Sequence, residues 1–266
     1  MSARILLLGL AFAMTLALPA TAADSKLAAA VASPTRAAQD TARDKYRHPE
    51  ASLEFWGVKP GQTIIEIAPS GGYWTEILAP YAKATDGRYV AAEGSDAQKL
   101  PAKFADKAIY GDIGYTVFNR TSGPLGPAGS ADLVLTARNI HDWMWTPGYA
   151  EKAMADFFAV LKPGGILAVE DHRADPRPQI GDARDGYVAT ATIANLARKA
   201  GFVLDASSEI NANPKDTKDH PFGVWTLPPT RQSAPNGQPP NPAFDHSKYD
   251  AIGESDRMTL RFRKPG

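Results

Sequence analysis

The chain has no cysteine in its 266 residues. That absence excludes disulfides, thiolate metal sites, a cysteine nucleophile and lipid attachment to a cysteine behind the apolar N-terminal run. An excess of one charge is missing too: 29 Lys+Arg stand against 29 Asp+Glu, for a formal net charge of +0. Such a balance offers no footprint for nucleic acid or an anionic membrane surface, which leaves a small molecule as the partner class. There is no internal repeat. No apolar run reaches the ~20 residues of a permanent membrane span. No Arg-Arg pair precedes the apolar run, which favours the general secretory route over twin-arginine export.

What is present begins with that run. Arg4 is followed by nearly unbroken apolar residues over 5–18, then by Pro19 and the small-x-small triplet Ala20-Thr21-Ala22. This is the pattern of a cleavable signal peptide over residues 1–22. The expected mature chain starts at Ala23, and the expected destination is a Gram-negative periplasm. Residues 23–40 are Ala-rich and polar and are predicted to form a poorly ordered leader. The remainder, 41–266, is predicted to be one domain with a long excursion at 207–256, rich in Pro, Asn, Asp and Gly.

Within that domain, short β-branched runs alternate with helical patterns. A helix is predicted over 41–56, and strands over 63–68, 87–93, 108–112 (the weakest), 131–136 and 166–170, with a sixth from Gly201. A helix from Tyr73 is predicted to end near Pro80. The chain closes on an alternating strand, 258–263. This order implies an α/β fold with a doubly wound, mostly parallel sheet. Ligands of such sheets sit beyond the strand C-termini, where the strand order reverses.

The turn after the first strand reads Glu66-Ile67-Ala68-Pro69-Ser70-Gly71-Gly72-Tyr73. Its glycines allow positive φ and close ligand approach, and the following helix start suits an anionic group. Glu93 ends the next strand, where a carboxylate can bond ribose hydroxyls. The turn lacks G-x-G-x-x-G, which excludes a nicotinamide or flavin dinucleotide.

Two further strand ends carry chemistry: Asn139, His141 and Asp142 after the fourth strand, and Glu170, Asp171 and His172 after the fifth. His141 or His172 can act as a general base, since imidazole titrates near neutrality. Asp142, Asp171 and His172 form an oxygen/nitrogen ligand set without tight spacing, and no metal is expected. Tyr46, Tyr73, Trp74, Trp143 and Trp145 suit lid packing or a cation–π contact to a sulfonium. Arg43 and Arg47, one helical turn apart, can bind a carboxylate or phosphate or form a solvated face.

The order of the 66–73 turn, Glu93, Gly111-Asp112, residues 132–136 and Leu161-Lys162-Pro163-Gly164-Gly165 resembles the class I S-adenosylmethionine-dependent methyltransferases. Arg43-Asp44-Lys45-Tyr46-Arg47-His48-Pro49, Ala79-Pro80-Tyr81, Arg138-Asn139-Ile140-His141-Asp142 and Arg261-Phe262-Arg263-Lys264-Pro265 are similar to an exported group of that family with unknown substrate. The resemblance implies a Rossmann-like seven-stranded sheet with an antiparallel last strand, and S-adenosylmethionine as cofactor. It implies that Glu66, Ala68, Ser70, Gly71, Gly72 and Tyr73 hold the methionine moiety, Glu93 the ribose, and that Asp112 lies near the adenine. Asn139, His141, Asp142 and His172 are then the candidate catalytic residues, acting on a small or lipid-like acceptor. Ala68 and Ser70 depart from the family's acidic-x-Gly-x-Gly-x-Gly; alanine is tolerable there if φ is negative, and serine can crowd the ligand or donate to it. The alternative function is a non-catalytic periplasmic small-molecule-binding protein on a degenerate methyltransferase fold.

Overall fold

The computed structural model describes residues 24–95, 100–176, 179 and 181–266, so the expected signal peptide over 1–22 lies outside the described residues. The strands are β1 (Thr63–Ile67), β2 (Arg88–Glu93), β3 (Gly114–Val117), β4 (Ala131–Ala137), β5 (Leu161–His172), β6 (Val203–Ser208), β7 (Pro221–Val224) and β8 (Arg257–Arg263). The helices are α1 (Ser25–Val31), α2 (Ala38–Thr41), α3 (Asp44–Arg47), α4 (Pro49–Trp56), α5 (Thr75–Ala84), α6 (Lys107–Tyr110), α7 (Ile140–Trp143), α8 (Tyr149–Val160), α9 (Thr190–Lys199) and α10 (Ser247–Ile252).

Seven strands form one sheet in the order β3-β2-β1-β4-β5-β8-β6. Strands β1 to β5 run parallel, and β8 inserts antiparallel between β5 and β6. This is the doubly wound, mostly parallel sheet the sequence implied, with its antiparallel last strand. Because successive side chains alternate faces, β1 buries Ile65 and Ile67 against one layer and Ile64 against the other. Strand β4 does the same with Val134 on one side and Leu133 and Leu135 on the other. Burial on both faces is why these strands read as continuous β-branched runs. The order reverses at β1 and β4, which puts the crevice at their C-terminal ends.

Several expected elements fall elsewhere. The weakest strand, placed at 108–112, is helix α6: Asp106 accepts from the Ala108 N–H at 2.9 Å, and Gly111 ends the turn at φ 69°. The third strand follows it at Gly114. Pro80 lies inside α5 without ending it. The helix expected over 41–56 is split at His48, which adopts φ 40°; a residue before proline is disfavoured in the α region, and Pro49 follows.

The segment expected to be a poorly ordered leader is built into the domain. Asp24 caps α1 and accepts from the Tyr81 hydroxyl, while Leu27 and Ala30 are buried. Arg36 makes a two-pronged pair with Asp44 at 2.7 Å, and the Ala37 N–H donates to Glu76 at 3.1 Å. The excursion over 207–256 contains β7 and α10 and packs across the strand C-termini, where Trp225 meets the His141 ring at 5.9 Å.

Candidate active site

The turn from β1 to α5 is tight. Ala68, Ser70 and Gly72 have φ of 48°, 56° and 86°. The alanine therefore holds the left-handed conformation, so the condition under which it would be tolerated without cost, a negative φ, is not met, and the serine holds it too. Left-handed backbone costs a residue with a Cβ roughly 1–2 kcal/mol. The Ala68 N–H donates to the Ala92 carbonyl at 2.9 Å, and the Gly72 N–H to that of Pro69 at 2.9 Å. A Cβ on Gly72 would lie 2.3 Å from the Phe104 ring, so glycine is required there. A Cβ on Gly71 would meet nothing within 4 Å, which leaves that side of the loop open to a ligand.

Glu66 is buried beneath this loop. Its Oε2 accepts from the Thr75 hydroxyl at 3.0 Å and the Tyr89 hydroxyl at 2.5 Å. Burial pushes its carboxyl up to about 7, against the two hydroxyls, which favour the charged form. Glu93 is buried at the end of β2, and its carbonyl accepts from Phe118 at 2.7 Å. Tyr73 donates to Asp44 at 2.7 Å, and the Arg47 guanidinium stands 4.4 Å from its ring. Glu66, the 68–73 loop, Arg43, Arg138, Asn139 and Asp142 enclose a crevice of about 290 Å³.

Asp112 is not brought to this crevice. It precedes β3, at the opposite edge of the sheet, with its side chain 83% exposed and paired to Lys107 at 2.6 Å. The displacement follows from the misplaced third strand: Gly114 pairs with Val90, so 112 falls before the sheet begins. The residue that does stand past the C-terminal end of β3 is Asn119, whose Nδ2 donates to the Gly94 carbonyl at 2.8 Å. Its Oδ1 accepts from the Thr121 N–H at 2.9 Å in an Asx turn, and such turns mark loops without marking chemistry.

Next to the crevice, and sharing Arg138 and Asp142 with it, lies a smaller pocket of about 110 Å³. His141 and His172 line it together, with ring centroids 5.1 Å apart. The expected cluster is thus assembled, but its members differ. His141 Nδ1 lies 2.8 Å from Asp171 Oδ1, and its Nε2 lies 3.3 Å from Asp142 Oδ1. Burial alone would lower this imidazole, but Asp171 and Asp142 together raise it above its ordinary value. Burial also raises the Asp142 carboxyl, with His141 opposing.

His172 goes the other way. Burial, then the charges of His141, Arg257 and Arg138, push it well below the ordinary imidazole value. Its Nδ1 lies 2.5 Å from the Ser255 hydroxyl. Asn139 donates from Nδ2 to the Ile67 carbonyl at 3.0 Å and to the Thr136 hydroxyl at 3.3 Å. Its amide thereby pins the end of β1, a positioning task. Asp171, named from the sequence only as a member of an oxygen/nitrogen ligand set, organises the pocket: it also accepts from the N–H groups of Ile140, His141 and His172.

No family model matches the chain. It is 27% identical over 141 residues to the ubiquinone/menaquinone biosynthesis C-methyltransferase UbiE of Hydrogenovibrio crunogenus, an alignment over 51% of this chain and 52% of that protein. The chain therefore spans about half the length of the curated relative it matches. Among solved structures, the [4+2]-cyclase SpnF is similar at TM-score 0.56 and 15% identity, covering 88% of this chain and 85% of that one. The 1,6-didemethyltoxoflavin-N1-methyltransferase of Burkholderia thailandensis, solved with S-adenosylhomocysteine, is similar at TM-score 0.52 and 13% identity, covering 94% of each chain. The fold is that of the class I S-adenosylmethionine-dependent methyltransferases.

Proposed function

We propose that this protein is an S-adenosylmethionine-dependent methyltransferase acting on a small or lipid-like acceptor. The observation that carries the proposal is the adjacency of two cavities that share Arg138 and Asp142: a loop-and-carboxylate crevice, and a pocket holding a buried histidine–carboxylate pair. The residues fit the cofactor on their own chemistry. The open face at Gly71 admits an extended chain, and the buried Glu66 complements positive charge. Ala68, Ser70, Gly71, Gly72 and Tyr73 would hold the methionine moiety, and Glu93 the ribose hydroxyls.

The bound cofactor would supply an electrophilic methyl group. The protein's own work is to orient the acceptor, exclude water and receive a proton. His141 is suited to the last task as general base: Asp171 fixes the ring through Nδ1, and Nε2 lies 3.3 Å from Asp142, a carboxylate on the wall of both cavities. Fixing the tautomer and stabilising the imidazolium is what a buried carboxylate does for a catalytic histidine. His172, held neutral and tied to Ser255, is suited to contacting the acceptor without carrying charge.

A second reading, a non-catalytic small-molecule-binding protein, is favoured by one observation: Ala68 and Ser70 place two Cβ groups on a loop with left-handed backbone. Fold by itself does not choose between the readings, since a cyclase shares it. Ultraviolet cross-linking with methyl-labelled S-adenosylmethionine tests the first reading. Label should map to the peptide spanning 66–73; label confined to other peptides, or none, would contradict it. Export to the periplasm is part of the proposal and is supported by the apolar run and the Ala20-Thr21-Ala22 triplet. Cleavage after Ala22 would leave the Asp24 cap of α1 intact.

A further inference from the structure

Arg138, with its side chain 27% exposed, and the buried Arg257 line the smaller pocket, and together with the neighbouring buried Arg47 they are short of carboxylate partners. Arg257, fully enclosed, pairs with Glu170 at 3.1 Å and with Glu254, yet its Nε has no partner. Arg47 reaches Glu254 at 2.9 Å through Nε, and neither of its terminal nitrogens has a partner. Arg43 shares Glu254 at 2.6 Å but also has Asp40 at 3.3 Å. With Arg43 assigned to Asp40, three guanidiniums (Arg47, Arg138 and Arg257) face two carboxylates, Glu170 and Glu254.

Arg138 is the odd member. It sits at φ 63°, immediately past β4, and its Nε is 4.0 Å from Glu170, too far for a hydrogen bond. Its guanidinium makes no hydrogen bond among the described residues, and it lines both cavities. A planar five-donor fork left without acceptors at a cavity wall is suited to a carboxylate or phosphate. The same pocket is lined by the neutral polar groups of Ser255, Thr230 and His172, by the apolar Val224, Trp225 and Pro228, and by Asp142, whose carboxylate faces His141 Nε2 at 3.3 Å.

We propose that the inner pocket binds the oxyanion group of the methyl acceptor, a carboxylate or phosphate, with Arg138 as its principal donor and Arg257 behind it. The acceptor class follows from this, and the assignment to an acceptor rests on the methyltransferase reading above. At about 110 Å³ the pocket holds the volume of roughly three or four waters. That is room for an anionic head group, with the rest of the acceptor extending past His141 toward the crevice. The same charges explain why the His141, Asp171 and His172 atoms, although within 4.8 Å of one another, make a poor dication site. Asp171 is spent on three N–H groups and His141, and two guanidiniums line the pocket.

The shortage also acts on Arg47. Burial, followed by repulsion from Arg138 and Arg257, pushes its guanidinium down to about 9. An added oxyanion would relieve that repulsion.

The test is calorimetric titration of the protein, saturated with S-adenosylhomocysteine so that the crevice is filled, with inorganic phosphate and separately with acetate. Binding of either one that weakens at least about tenfold in Arg138→Gln and recovers in Arg138→Lys supports the site. Phosphate preference identifies a phosphorylated acceptor, acetate preference a carboxylic acid. Binding of neither at millimolar concentration overturns the proposal, and so does binding that Arg138→Gln leaves unchanged. Should that variant fold poorly, the wild-type ring resonances of His141 and His172 give the answer: both should move on phosphate or acetate addition, and stationary signals overturn the site. If S-adenosylhomocysteine itself does not bind, the methyltransferase reading fails separately, and the anion titrations still report on the pocket.

Discussion

His141 and Asp171 form a buried pair, Nδ1 to Oδ1 at 2.8 Å, while the second oxygen of Asp171 accepts from the Ile140 N–H at 2.9 Å. One carboxylate thus fixes both the ring and the backbone of the turn that carries it. If this pair is the proton acceptor, His141→Ala should slow turnover by about 10²–10⁴-fold, the usual range for a general base. The affinity for S-adenosylhomocysteine should not change. Because Asp171 and Asp142 raise the His141 imidazole, the neutral base should appear only above the ordinary imidazole range. The rate should therefore climb with pH on a limb displaced upward from free histidine, and Asp171→Asn should move that limb down. A pH–rate profile that is flat across that range would remove His141 from the proton transfer.

Glu66 makes stability depend on pH in a defined direction. Its carboxyl stands at about 7 in the folded chain against 4.5 ordinarily. Between those values the folded state binds more protons than the unfolded state, so this group's contribution falls as pH rises through the window. At 1.36 kcal/mol per unit, the loss amounts to up to about 3 kcal/mol. Glu66→Gln should gain relative to wild type by about that much between pH 4.5 and pH 8 in urea unfolding. A difference that stays constant with pH would mean Glu66 is not protonated on folding.

Ala68 and Ser70 hold strained backbone, so glycine should relieve it. The relief of roughly 1–2 kcal/mol is partly offset by the greater freedom of glycine in the unfolded chain. Ala68→Gly and Ser70→Gly should each stabilise by about 0.5–1 kcal/mol, read from the urea midpoint. Gly72→Ala should do the reverse, since its Cβ would strike the Phe104 ring. Destabilisation by both glycine variants would place the strain elsewhere.

Glu254 ties the excursion to the N-terminal segment through Arg43 and Arg47, and to the start of β8 through Arg257. These charges hold its carboxyl far below the ordinary range despite burial, which acts the other way. Removing one partner from a buried ionic cluster leaves uncompensated charge and costs about 3–5 kcal/mol. Glu254→Ala should lose that much, while Glu209→Ala, at an exposed pair with Arg173, should lose under about 1 kcal/mol. Equal effects would show that the buried cluster carries no special weight.

The sheet was legible because both faces of β1, β4 and β5 are buried and their β-branched runs have no other use. The edge strand β3 was not: Tyr115 is exposed, and the apolar run 108–110 before it belongs to a helix. That one shift carried Asp112 to the wrong edge. The turn at 66–73 was legible from its glycines, but the sign of φ at Ala68 was not, because only packing around the loop sets it. His141 and His172 could be brought to one edge by the parallel pairing of β4 with β5. Their opposite titration depends on Asp171 and Asp142 beside His141, and on burial and the charges of His141, Arg257 and Arg138 around His172, an environment set by packing between separate segments. The order of the leader likewise rests on Asp24, Arg36 and Ala37 meeting Tyr81, Asp44 and Glu76.

The most direct measurement is calorimetric titration of the folded chain with S-adenosylmethionine and S-adenosylhomocysteine, repeated in Glu93→Ala. Saturable one-site binding that weakens by about 1–3 kcal/mol in the variant, the loss of hydrogen bonds to a charged group, is the expected result. No binding at millimolar ligand, or binding that Glu93→Ala leaves untouched, would contradict the assignment of the crevice.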